Sequence, residues 1–597
     1  MKKYKNRDEV PEKYKWDLTE YYKDDKDFEK NLKETEEEIK KISSYKGCTK
    51  DAEKLYEYLV FDTKISCAAM DLYAYAMLRN DEILGVSSSI ERYNKTIALY
   101  GKLEVESSFF KDELLSLDKK EYEKLFTKNP KLKEYKELLD SVYREKEHVL
   151  TENEENIITR LSNSADNFSE MSATLINSEH DYGKVMLDGV EETLTTTNYI
   201  KFLKNSNRDT RRDAYFKLNN KLREYATTSA SLLNSYVKLN SEKSKIHKFN
   251  SAWERKLFHL NLNEKVFDTL IKTTEENLDV LHRYFKLRKK ILKLDKMYSY
   301  DLNKNLAHNN KEYSIETAQN IIGKALAPLG KDYLEKYDKI IKERRIDYCQ
   351  YKGKTSGGYN MSTNDKSSRI LMSFNYNLDS VSTIAHEAGH NVHHEFINDN
   401  NPLQYRGMYS IVTEVVSLTN ECLLSDYLFK NGETKEERLA GLENIIDVII
   451  SNLFGAVREG AMELDFYKYV ESGNTITKDY IDKLSHDYIK KYYGTAVELD
   501  ENSGNIWIRR SHYYMDFYLL SYAICISVAT FIADKITNGD KDMLDKYLKF
   551  IKIGDNKWPN EIFEELDINL EDKEVYQNAI NYFDKLLDKF EKTYNEL

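Results

Sequence analysis

The run Val381-Ser-Thr-Ile-Ala-His386-Glu387-Ala-Gly-His390-Asn-Val-His393-His394 holds the residues best suited to chemistry in this chain. On a helix turning about 100° per residue, His386 and His390 leave one face a single turn apart, so both imidazoles can reach one ion. Glu387 comes beside the open coordination position, where a carboxylate can take a proton from a metal-bound water. Zinc lowers the pKa of that water from about 15.7 to near 7, within reach of such a base. The chemistry implied is metal-assisted hydrolysis, with the peptide bond as its usual object.

A zinc site with an open position needs a third protein ligand. His393 and His394 are nearest, but His393 lies seven residues, roughly 10 Å of helix rise, beyond His386. A third histidine serves sites of this kind only after a glycine turn, which is missing here. Glu414, in Ser410-Ile-Val-Thr-Glu414-Val-Val-Ser-Leu-Thr-Asn-Glu421, follows His390 by enough chain for a turn and an antiparallel helix. Glu421 shares its face two turns later, and spacing does not separate the two. His512, Tyr514, Tyr518 and Tyr522 form a second polar group, with the three tyrosines successive i+4 neighbours on one expected helical face. With 46 Tyr in the chain, such a stripe is on sequence alone more often packing than chemistry. Gly357, Gly358 and Tyr359 read as a bare sheet edge along which an extended peptide can pair. His148, His180, His247, His259, His282, His308 and His486 show no ligand spacing.

These groups need rigid elements, and the composition supplies helices. Ordinary usage gives roughly 30 Pro and 40 Gly in a chain of this length; this one has 5 and 21 in 597 residues. A mostly α fold of at least two lobes follows. Amphipathic helices are expected over Glu29–Ile42, Leu55–Leu78 and Lys119–Tyr143. The Thr-rich stretch Asp181–Asn198 breaks the pattern and sets the expected division at 1–190 and 191–597. Strands are expected within 353–362 and 369–375, beside a motif helix capped by Asp379, Ser380 or Ser382 and ended at Asn400-Asn401-Pro402. The apolar run Phe517–Ala533 is expected as a buried helix and not a membrane span. A net charge of −12, with both signs interspersed, predicts no nucleic-acid partner. Five scattered cysteines and a charged amino-terminal stretch suit a soluble protein of a reducing cytoplasm.

His386-Glu387-x-Gly389-His390-x-x-His393 followed by Glu414-Val415-x-Ser417-x-x-Asn420-Glu421 resembles the thimet-oligopeptidase-like (M3) metallopeptidases, specifically the oligoendopeptidase F branch. The resemblance covers most of the chain. It includes Arg7-x-x-Val10-Pro11-x-x-Tyr14-x-Trp16-Asp17-Leu18, Gly189 with the following Leu-Thr-Thr-Thr, and Asn207-Arg-Asp-Thr-Arg211. Lys354-Thr-Ser-Gly-Gly-Tyr359, Tyr492-Tyr-Gly494 and Trp507-x-Arg-x-x-His512-Tyr-Tyr514 continue it. It implies a two-lobed helical fold with a deep substrate channel and a small β-sheet beside the motif helix. It also implies one Zn2+ per chain on His386, His390 and Glu414, with Glu387 as general base and acid. His512 and Tyr514 are implied to donate hydrogen bonds to the oxyanion and substrate backbone, and Gly357, Gly358 and Tyr359 to contact substrate; Tyr518 and Tyr522 stay candidates for substrate contact, balanced against packing. Ser511 and Leu520 depart from the branch pattern, as does the stretch Arg458–Glu463. The expectation is a cytoplasmic zinc oligoendopeptidase acting on short unfolded peptides. Its rivals are a carboxypeptidase on a similar scaffold and a peptide-binding homologue that has lost turnover.

Overall fold

Where Pro and Gly are scarce, the chain runs as long helices. Ala52–Glu82 has 31 residues, begins on the Asp51 side chain and extends the expected Leu55–Leu78 at both ends. Ser87–Ser116 has 30. Asp24 starts the first helix at Asp25–Ile39, a turn earlier than expected. The expected helix Lys119–Tyr143 is divided. Pro130, which has no N–H, ends Lys119–Lys128 and opens a 3-10 stretch, Pro130–Tyr135, before the helix Lys136–Tyr143. The computed structural model describes residues 4–596 apart from 152, 153, 156 and 159–166.

By contact the chain forms two compact units, and neither follows the 190/191 division of the sequence. The first joins residues 1–147, 310–427 and 535–567. Its amino-terminal helices share a core in which Trp16, Phe28, Leu55, Tyr58 and Leu72 pack with Leu371 from a distant strand. That strand, Arg369–Met372, is the centre of a three-stranded sheet. It pairs parallel with Ile346–Asp347 and antiparallel with the edge strand Gly358–Met361. The rest of the expected 353–362 strand is a loop closed over Lys354. Its buried ammonium donates to the carbonyls of Asp347, Cys349 and Met372 at 2.7–3.0 Å and pairs with the Asp347 carboxylate at 2.6 Å. The amino-terminal segment lies along the sheet. Asp17 N–H donates to Arg344 O at 2.8 Å, and Arg369 Nε donates to Asp17 O at 2.7 Å.

The motif helix is Leu378–Asn400, and it ends before Pro402 as expected. Its cap is Asn377, whose side chain accepts the Ser380 N–H at 3.0 Å, and not Asp379, Ser380 or Ser382. Ser380 is inside the first turn, where its hydroxyl is hydrogen-bonded to the Asn377 side chain and accepts the Asn375 N–H. A companion helix, Ser410–Asn431, follows it.

The second unit joins residues 148–309, 428–534 and 568–597. The break expected at Asp181–Asn198 is a hairpin, Lys184–Leu187 against Val190–Thr193, and a helix resumes at Tyr199. Asp188 and Gly189 both have positive φ at its turn, as a two-residue hairpin loop requires. Helix Lys435–Ile449 runs through a π stretch, Ile450–Gly455, into helix Ala456–Glu471. Leu519–Thr537 is long and apolar enough to cross a bilayer, but 72% of its apolar window is buried within the protein. All five cysteines are buried.

Candidate metal centre

Gly389 lets the motif and companion helices meet. A Cβ built there would come 2.7 Å from Ser417 Cα and 3.1 Å from Ser417 N, so any larger residue would force the two backbones apart. Asn420, fully buried, fixes the pairing: its Nδ2 donates to Ala385 O at 3.0 Å and its Oδ1 accepts from the Tyr333 hydroxyl at 2.9 Å. The approach delivers one face of the companion helix, carrying Thr413, Glu414, Ser417 and Glu421, to the histidines.

His386 Nε2 lies 3.4 Å and His390 Nε2 3.8 Å from the same oxygen, Glu414 Oε2. One ligand atom from each of the three residues falls within 4.8 Å of the others. Among the described residues, this is the one group of His, Cys, Asp and Glu gathered closely enough to hold an ion. The outer nitrogens are engaged elsewhere. His386 Nδ1 is 2.7 Å from Glu421 Oε1, and His390 Nδ1 is 3.0 Å from Thr413 Oγ1. An Nδ1–H donated outward leaves the Nε2 lone pair facing the centre, as a metal-ligating histidine needs. Glu421 is held in turn by the Ser382 hydroxyl at 2.9 Å, and Glu414 by the Ser417 hydroxyl at 3.0 Å. Glu414 thus faces the cluster, and Glu421 stands behind His386.

The electrostatics suit a cation. Burial works against charge on His386, yet hydrogen bonds and proximity to Glu414 and Glu421 raise its pKa well above the usual value. Burial also works to raise that of Glu414, but His386, His390 and the Ser417 hydroxyl hold it down to about 2. Burial and the neighbouring His386 lower His390 to about 4, which keeps it neutral. A metal ion would displace the proton that Glu414 and Glu421 favour on His386, and two imidazole nitrogens with one carboxylate oxygen would then form the donor set of a zinc site with an open position. Glu387 lies beside them, 7% exposed, its pKa pushed up to about 7 mainly by burial. His393 is not part of the cluster. Its Nδ1 meets Thr413 Oγ1 at 3.1 Å, and burial lowers its pKa to about 3. His394 turns instead to the Ser368 hydroxyl at 3.0 Å.

The glycine strand has two distinct requirements. Gly357 holds φ +100°, which favours glycine, and a Cβ on Gly358 would come 2.8 Å from Thr383 Cγ2 of the motif helix. Gly358–Met361 is an edge strand of its sheet, as expected, but the Tyr359 hydroxyl is committed to Asp81 at 2.7 Å. His512, Tyr514, Tyr518 and Tyr522 belong to the second unit, and they do not form one helical stripe. Ser511–Tyr514 is a single 3-10 turn, Asp516 and Phe517 have positive φ, and the helix begins only at Leu519. That turn separates the rings. His512 stacks near Tyr518 at 6.1 Å, Tyr518 meets Tyr522 at 5.1 Å, and Tyr514 packs on Tyr236 at 5.1 Å. Sequence reading gave Thr413 and Ser417 no hydrogen-bonding role, took Ser382 only as a possible cap, and read Gly389 only as part of a motif. The first two were accessible, since Thr413 precedes Glu414 and Ser417 repeats its face at i+3.

Known proteins resemble this chain over nearly its whole length. Residues 201–582 match the sequence model described as Peptidase family M3, and residues 113–182 match one described as Oligopeptidase F. The chain is 30% identical over 591 residues to Oligopeptidase PepF of Bacillus subtilis, covering 98% of this chain and 88% of that protein. Among solved structures, a Chlamydophila abortus protein superposes with a TM-score of 0.90 at 25% identity, over 99% of this chain and all of that one. The oligoendopeptidase-F of Enterococcus faecium gives 0.72 at 25% identity, over 96% of this chain and all of that one.

Proposed function

Because the chain belongs to peptidase family M3, in its oligoendopeptidase F branch, and is therefore a metallopeptidase, we propose that it is a zinc oligoendopeptidase that cuts internal bonds of short, unfolded peptides. The observation that carries this reading is the convergence of His386 Nε2, His390 Nε2 and Glu414 Oε2, with Glu387 buried alongside. In this reading those three residues hold one zinc ion, which when bound supplies a Lewis acid and a water of lowered pKa. Glu387 takes the proton of the attacking water and passes it to the leaving amine, a role suited to a carboxyl whose pKa lies near 7. Glu421 and Thr413 fix the tautomer and aim of the two imidazoles from behind. His512 and Tyr514 donate to the oxyanion and the substrate backbone, while Gly357, Gly358, Tyr359, Tyr518 and Tyr522 contact the peptide. We retain 1–190 and 191–597 as sequence modules, and a cytoplasmic location without nucleic-acid or membrane partners.

The test is mass spectrometry of a mixed peptide pool, and of a stably folded protein, digested with and without a chelator. Internal cuts in the short peptides alone, lost with chelator and restored by zinc, are expected. Terminal trimming, chelator-insensitive cutting or efficient cleavage within the folded protein would refute the reading.

A further inference from the structure

The segment Arg510–Phe517, which carries His512 and Tyr514, has little regular structure to hold its shape. Beyond the 3-10 turn Ser511–Tyr514, Asp516 and Phe517 take φ of +48° and +58°. Non-glycine residues persist in that region only where their surroundings impose it. Here one helix, Ala456–Glu471, supplies the restraint at both ends. The Glu459 carboxylate receives Arg510 Nη2 at 2.6 Å, Arg510 Nε at its other oxygen, and Arg458 Nη2 at 2.7 Å. One turn further, Glu463 Oε1 accepts the backbone N–H of Phe517 at 2.9 Å. Between them the Tyr513 ring stands edge-on to Phe466, centroids 5.3 Å apart. Glu459, Glu463 and Tyr513 are all 3% exposed or less.

Spacing of i and i+4 puts both carboxylates on one face. The π stretch Ile450–Gly455 just ahead of the helix rotates everything after it relative to an unbroken α-helix, and π insertions of this kind concentrate at functional sites. Packing alone does not explain the two acids. Apolar residues of similar size hold a helix face at least as well as buried charges, and Glu463 Oε2 is buried with no hydrogen-bond partner. The far side of the segment is fitted as closely. Asp516 accepts from the Tyr236 hydroxyl at 2.5 Å and from the Asn240 amide, while Phe517 lies between Trp253 at 4.9 Å and Tyr467 at 4.5 Å.

We propose that Glu459 and Glu463 are positioning residues, a two-point clamp that fixes the ends of Arg510–Phe517 and so sets the aim of the His512 imidazole and the Tyr514 hydroxyl. This rests on the reading that His512 and Tyr514 act on the substrate.

The test is steady-state hydrolysis of a quenched fluorescent peptide by the zinc-loaded full chain. Glu463→Met keeps the length of the side chain and removes the acceptor for the Phe517 N–H. It lowers kcat by roughly 10–100-fold, with KM within about threefold and zinc content whole. Glu463→Gln, whose amide oxygen still accepts that N–H, recovers most of the loss. In a His512→Ala/Tyr514→Phe background, Glu463→Met has no further effect, because no group remains to be aimed. Should Glu463→Met not fold, Arg510→Gln probes the other end of the clamp and is expected to show the same dependence on background. Normal turnover in the probing variant, or an equal loss in both backgrounds, overturns the clamp. His512→Ala and Tyr514→Phe are expected to lower kcat by about 10²–10³-fold on their own. Normal turnover in both would defeat the reading of those residues first and the clamp with it, and that result is visible before any clamp variant is compared.

Discussion

Replacing Glu421 by alanine separates the two carboxylates of the companion helix by what they do. Glu421 gives one oxygen to His386 Nδ1 at 2.7 Å and the other to the Ser382 hydroxyl at 2.9 Å. It contributes no atom to the converging cluster. Its removal costs one charge-assisted hydrogen bond to a buried imidazole, about 1.5–3 kcal/mol. At about 1.4 kcal/mol per decade, that weakens zinc binding roughly 10- to 150-fold, in line with the usual effect of such outer partners. Glu421→Gln keeps an acceptor for Nδ1–H and loses only the charge, so its loss should be smaller, about tenfold or less. Glu414→Ala removes one of three ligand atoms and should leave substoichiometric metal after dialysis. Elemental analysis gives the content, and competition with a chromophoric chelator gives the affinities. The reasoning fails if Glu421→Ala emerges metal-free while Glu414→Ala keeps a full equivalent.

Glu387→Gln should retain zinc but lose turnover by ~10²–10⁴-fold, since an amide cannot take the proton; near-native kcat in peptide hydrolysis would remove Glu387 from the chemistry. Gly389→Ala places a methyl 2.7 Å from Ser417 Cα, so thermal unfolding should show a loss of about 1–3 kcal/mol and chelator competition a weaker site; an unchanged melting temperature would mean that the helices can part freely. Burial raises Glu463 to about 8, opposed by the Phe517 N–H and Lys256 and reinforced by Asp516. The folded state thus holds a proton that the unfolded chain releases near its ordinary pKa, and stability must fall as pH rises between about 4.5 and 8. Glu463→Gln should flatten that slope in melting temperature against pH, and an identical slope in both proteins would contradict the assignment.

What was legible in the sequence is what local period decides. His386 and His390 are one helical turn apart, and no tertiary information is needed to put them on one face. The choice between Glu414 and Glu421 was not legible, because it depends on how closely two helices approach. That distance is set by Gly389 and Asn420, thirty-one residues apart in sequence. Asn377 and Ser380 are both good caps, and only the backbone of the preceding turn decides between them. The tyrosine stripe misled because Asp516 and Phe517 turn the chain with positive φ, and neither is a glycine that would signal it. The strand Ile346–Asp347 has two residues, too few for alternation to show.

The stitching of the amino-terminal segment to the sheet carries a consequence for biosynthesis. Arg369 donates to Asp17 across 352 residues, and Leu371 completes a core otherwise built from residues 16–139. A ribosome adding 5–20 residues per second leaves that core, once residue 139 is made, without its closing strand for roughly 10–50 s. Helices such as Ala52–Glu82 form within microseconds, so the part of their core that meets Leu371 waits uncovered while the chain between is made. A translational pause between codons 139 and 369 would lengthen that interval by the duration of the pause.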